Sequence, residues 1–87
     1  MDEQRLDGNA IGGVLREIFA LEVTAAVSTC ASCGAVNEVG RVHVYVRAPG
    51  AVVRCPDCEA VLMRVVHGKG RYWLDLTGVR SLEFAEA

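Results

Sequence analysis

Apolar residues recur every three or four positions near the start of the chain and every second position after residue 39. Ile11, Val14, Leu15, Ile18, Phe19 and Leu21 share one side of a helix, with Arg16, Glu17 and Glu22 on the other. Asp7 or Asn9 can cap its start by accepting a hydrogen bond from a backbone amide that the helix leaves unpaired. Gly12 and Gly13 cost roughly 1 kcal/mol each relative to alanine in a helix, and close packing on the domain's own sheet is the simplest reason for them. A helix of about 12 residues within 7–22 is expected, ending before the β-branched pair Val23-Thr24.

From Val39 the period becomes two. Val42, Val44 and Val46 alternate with Arg41, His43, Tyr45 and Arg47, the pattern of a strand with one buried and one wet face. Ala48-Pro49-Gly50 reads as a turn and Ala51 to Arg54 as a second strand. Ala60 to His67 and Arg71 to Leu76 read as two more strands, joined by Gly68-Lys69-Gly70, a good hairpin connection. Thr77-Gly78 turns the chain, and Val79 to Phe84 can add a last short strand. The expected architecture is α+β: an N-terminal helix on a three- to four-stranded antiparallel sheet.

The chain has 87 residues, 52 % of them apolar, and a net charge of −2. That length fits one domain, read as helix 7–22, a central unit 29–76 and a C-terminal strand or tail 77–87. So small a core needs a staple beyond hydrophobic burial. Charge is unevenly spread. Residues 1–24 hold five acids against two bases, residues 25–71 six bases against three acids, and residues 72–87 three acids against one base. A globally basic nucleic-acid binder is excluded. The acidic first ten residues are unlike a secretory leader, and no uncharged run has the composition of a membrane span. The chain is therefore read as cytoplasmic, where thiols stay reduced.

The four cysteines form two pairs, Cys30-Ala31-Ser32-Cys33 and Cys55-Pro56-Asp57-Cys58, separated by the 21 residues from Gly34 to Arg54. A two-residue gap lets both thiolates of a pair reach one metal while backbone amides in the loop point at the sulfurs. Gly34 suits the positive φ that such a knuckle needs after its second cysteine. Glu59 stands where the second knuckle would place a glycine, so that loop must accept strain or close differently. Four thiolates in tetrahedral geometry select Zn2+, one per chain, and leave no open position for substrate. A rubredoxin-like iron site uses the same ligands. Dithiol redox chemistry would place one pair at a helix start, and two disulfides would need an oxidising compartment.

The two knuckles, with strands between and after them, resemble a zinc ribbon over residues 29–76. The whole chain is similar to a family of small uncharacterised actinobacterial proteins, through Leu6-Asp7-Gly8-Asn9-Ala10, the knuckles, and Trp73-Leu74-Asp75-Leu76 followed by Gly78 and Arg80. The ribbon resemblance implies Cys30, Cys33, Cys55 and Cys58 as ligands and a role in binding protein or nucleic acid. The narrower resemblance implies no activity.

Outside the cysteines the chemistry is sparse. His43 and His67 are the only imidazoles, and neither stands near a serine, a carboxylate pair or a spare thiol in a catalytic pattern. Asp75 and Arg80 can pair to pin the last turn. The expected function is therefore non-enzymatic, a small zinc-binding module acting through protein contacts or self-association. The helix stripe, Val52-Val53, Leu62, Val66 and Trp73 offer more apolar surface than one thin sheet covers. Nucleic-acid binding is the alternative. Arg41, His43, Tyr45 and Arg47 share one strand face, with Arg54, Arg64, Lys69 and Arg71 nearby, although alternating charge is also what the wet face of any antiparallel sheet carries. No membrane and no small-molecule substrate is inferred.

Overall fold

The computed structural model describes residues 5–19, 23–47 and 49–85, with backbone alone at 17–19. The chain forms β1 (Arg5–Asp7), a 3₁₀ turn over Gly8–Ile11, α1 (Gly12–Phe19), a 3₁₀ turn over Val23–Ala25, β2 (Val27–Cys30), β3 (Val36–Glu38), a 3₁₀ turn over Val39–Arg41, β4 (His43–Arg47), β5 (Gly50–Arg54), β6 (Val61–Gly68), β7 (Arg71–Asp75) and β8 (Val79–Glu83). It is α+β, with all strand pairs antiparallel.

The single sheet expected from the sequence is in fact two. A five-stranded sheet runs in the order β1-β4-β5-β6-β7, and a three-stranded sheet in the order β3-β2-β8. The period-two segments supply the meander β4 to β7. At its far hairpin, Gly68 pairs with Arg71, and Lys69 and Gly70 both take positive φ, as a tight two-residue connection requires. The last strand does not extend this meander. β8 crosses to β2, with Val27 opposite Glu83 and Ser28 opposite Leu82.

The helix also begins later than the sequence suggested, at Gly12. Asp7 does act as a cap, accepting from the Asn9 amide at 3.0 Å, but it caps the 3₁₀ turn, and Arg5 to Asp7 pair with β4 as an edge strand. Leu21 and Glu22 of the expected helix, and the side chains of Ile18 and Phe19, lie outside what the structure describes. Gly12 packs near the Thr24 methyl group, whereas Gly13 faces open space, so close packing explains only the first of them.

Ile11 and Leu15 of the N-terminal segment join Val44, Val53, Met63 and Val65 of the large sheet in one core. Val23, Ala26, Val39 and Val42 complete it, with Leu74, Val79, Leu82 and Phe84 packed around it. Leu62 and Val53, expected as exposed apolar surface, are buried here. A bulge between Val53 and Arg54 shifts the β5–β6 register at this point and brings Leu62 inward. Because Leu15 is fully buried, Leu15→Ala should cost about 3 kcal/mol, read from the chemical-denaturation midpoint. An unchanged midpoint would show that α1 is not part of the core.

Candidate metal centre

Each cysteine pair sits in the loop of a hairpin, and the two hairpins belong to different sheets. β2 ends at Cys30 and its loop returns as β3; β5 ends just before Cys55 and its loop returns as β6. The loops close by the same two backbone bonds. In the first, the Cys30 amide donates to the Ala35 carbonyl and the Gly34 amide to the Cys30 carbonyl, both at 2.9 Å. In the second, the Cys55 amide donates to Ala60 and the Glu59 amide to Cys55, again at 2.9 Å. Gly34 takes φ +80° and Glu59 takes φ +64°. The second knuckle thus closes like the first, with glutamate held in the left-handed region.

Glu59 is held there by its own side chain. Its carboxylate lies 2.7 Å from His43 Nδ1 and accepts from the Tyr45 hydroxyl at 3.3 Å, while its carbonyl accepts from Arg54 at 2.9 Å. The His43 bond, then the His43 charge, the Tyr45 hydroxyl and the Arg5 charge, draw the Glu59 carboxyl below its ordinary range. The sequence flagged Glu59 as an anomaly but did not reveal this network. A second lock joins the knuckles directly, with Asn37 Nδ2 donating to Asp57 Oδ2 at 2.9 Å.

The four sulfurs converge. Cys30 and Cys58 Sγ are 3.8 Å apart, Cys33 and Cys55 Sγ 3.7 Å, and all four lie within 4.8 Å of one another. A tetrahedron with metal–sulfur arms of roughly 2.3 Å has edges of about 3.8 Å, so these spacings fit one thiolate-bound ion. They are far beyond a disulfide bond, and all four thiols are free. Cys30 and Cys55 are buried; Cys33 and Cys58 reach the surface.

Cys30, Cys33 and Cys58 differ electrostatically. Amide donation from Cys33, then Ser32, pulls the Cys30 thiol down to about 7 despite its desolvation. The Ala35 amide favours ionisation of Cys33, but desolvation and the other three sulfurs outweigh it and push that thiol up to about 12. Cys58 is also raised, its desolvation and the Cys30 and Cys55 sulfurs overcoming the Ala60 amide. The Cys58 and Cys33 thiols thus help Cys30 to ionise, while Cys33 is held up by all three other sulfurs, an opposition that a divalent cation at their centre removes.

The other residues singled out from the sequence are more dispersed. His43, Tyr45 and Arg47 share one face of β4, but Arg41 lies in the preceding 3₁₀ turn and pairs with Glu38 at 3.5 Å. The valine spacing hid this break, because Val39, Val42 and Val44 are all buried across it. His67 stacks on Tyr72 with ring centroids 4.1 Å apart. Asp75 does not pin the last turn through Arg80. Its carboxylate accepts from the Thr77 amide at 2.9 Å and from the Thr77 hydroxyl, and lies 3.7 Å from Arg64.

Fold and site together define a small α+β protein with two hairpin knuckles and a four-cysteine cluster that could hold a metal ion. The chain belongs to the Family of unknown function (DUF6510), which it matches over residues 2–87. No curated protein matches it, and no solved structure does. No helix among the described residues is long and apolar enough to cross a membrane.

Proposed function

We propose that the protein is a non-enzymatic, zinc-ribbon-like binding module of the cytoplasm, with one structural Zn2+ held by Cys30, Cys33, Cys55 and Cys58. The observation that carries this reading is the convergence of four thiols from two separate hairpins, with Cys30–Cys58 and Cys33–Cys55 at 3.8 and 3.7 Å and all four within 4.8 Å of one another. A soft, fully thiolate shell favours zinc among common divalent ions, and four protein ligands close the site to substrate. The ion's task is then mechanical: it ties the small sheet, through β2 and β3, to the large one, through β5 and β6.

The remaining polar groups support a binding role. His43 serves the Glu59 loop, His67 is stacked, and Asp75 holds the Thr77 turn. None of these pairs is arranged as a nucleophile with its base. Elemental analysis of protein produced with both zinc and iron supplied should give one zinc per chain. Stoichiometric iron would instead make it a rubredoxin-like protein.

A further inference from the structure

The large sheet buries one face against α1 and leaves the other open. Register assigns the residues of the open face. Arg5, Tyr45, Val52, Arg64 and Asp75 stand side by side in one row across the strands, and Arg47, Gly50, Val66 and Trp73 in the next. None of these is fully buried, and Trp73 is 59 % exposed. A shallow groove of about 240 Å³ runs between the rows, lined by Tyr45, Arg47, Val52, Arg64 and Val66. Arg54 lies over the Tyr45 ring, its guanidinium carbon 6.0 Å from the centroid, and Arg71 stands one register step beyond Trp73.

The chemistry of this face selects its occupant. Five arginines (5, 47, 54, 64 and 71) stand on it against Asp7 and Asp75, with the Glu59 carboxylate at its rim already engaged by His43 and Tyr45. Two copies meeting through this face would set arginine against arginine. An anionic partner gains from it. The apolar strip between the arginines, with an aromatic ring at each end, asks in addition for flat uncharged groups. Tyr45 and Trp73 are three strand spacings and one row apart, about 16 Å. An extended polyanion with unpaired planar bases meets all three requirements, with phosphates on arginines and bases on rings. We infer that the open face of the large sheet binds single-stranded nucleic acid, centred on Trp73, Val66, Arg47 and Arg64 with Tyr45 at the far end. Arg41, suggested by the sequence, lies off the surface, while Trp73, which carries it, was read there as surface for protein contacts.

This inference rests on the binding-module reading, and its test separates the two. The zinc-loaded full chain is titrated against fluorescent short oligo-deoxythymidine and oligouridine strands, and against a duplex of equal length, over a range of salt. Zinc content and circular dichroism are recorded for every variant. The single strands should bind in preference to duplex, with affinity falling as salt rises. Trp73→Ala should weaken binding about tenfold at every salt concentration, as expected for loss of a stacked base. The Arg47→Gln/Arg71→Gln double variant should instead flatten the log–log salt slope by about 1.4, as two lost phosphate contacts require. Both variants should keep their zinc and their spectrum, since the altered side chains are exposed. A folded, zinc-loaded protein that ignores single strands, or binds them equally well without Trp73, overturns this inference alone. A zinc-loaded dimer that Trp73→Ala converts to monomer in light scattering also overturns it and gives the face to a second copy.

Discussion

Cys55→Ser, or removal of the metal by a chelator, should unfold the small sheet and leave the rest of the chain unable to hold a fixed core. The expected size follows from two magnitudes. A structural zinc contributes roughly 10–16 kcal/mol of apparent binding energy at neutral pH, while whole domains are stable by about 5–15 kcal/mol. β2, β3 and β8, four, three and five residues long, form a sheet of only three strands that meets the large one at the knuckles. The meander β4 to β7 keeps its own ladders. Hydrogen exchange on metal-free protein should therefore show protection lost first at residues 27–38 and 79–83 and retained longest in β5 and β6. Unchanged protection in the small sheet would mean that packing alone holds it.

Gly78→Ala should also be strongly destabilising although it touches no ligand. A Cβ at position 78 would lie 1.8 Å from the Val61 carbonyl oxygen and 2.8 Å from the Leu62 Cα, both backbone atoms that no rotamer change can move. The same residue bridges the sheets, since its amide donates to the Leu62 carbonyl at 3.0 Å and its carbonyl accepts from the Ala31 amide at 2.9 Å. Relieving the clash must break one or both bonds beside the first knuckle. A loss of about 3 kcal/mol or more is expected, in the range of severe overpacking, with slower zinc uptake measured by a chromophoric chelator. Gly13→Ala is the control: with nothing near its missing Cβ, it should be neutral or mildly stabilising. Equal stability for Gly78→Ala would mean that the close approach of the turn to β6 is not needed.

What could be read in advance followed local period. β4 was legible from its alternation and β5 to β7 from valine-rich and aromatic runs, because the connections at Pro49-Gly50 and Lys69-Gly70 carry their own turn chemistry. The cysteine cluster was legible because knuckle spacing is itself local. β1 was not, since its three residues contain a single apolar side chain, Leu6, and Asp7 looks equally like a helix cap. The small sheet was not, because Val-Ser-Thr-Cys and Val-Asn-Glu have weak patterns of their own and β8, Val79–Glu83, pairs with a strand as distant in the sequence as Val27–Cys30. A sequence pattern shows which side of a strand is wet but not which strands share that side. That is why Trp73, Val66 and Arg47 were not seen as one row, whereas Arg41 was grouped with Tyr45 because the valine spacing hid the 3₁₀ turn between them.

The staple that joins the two sheets is the central claim, and X-ray absorption on the purified protein tests it most directly. A zinc edge with a first shell of four sulfurs at about 2.3 Å, at one zinc per chain and lost together with the fold in Cys55→Ser, is the predicted result. An iron edge, a shell containing nitrogen or oxygen in place of sulfur, or a well-folded chain without stoichiometric metal would contradict it.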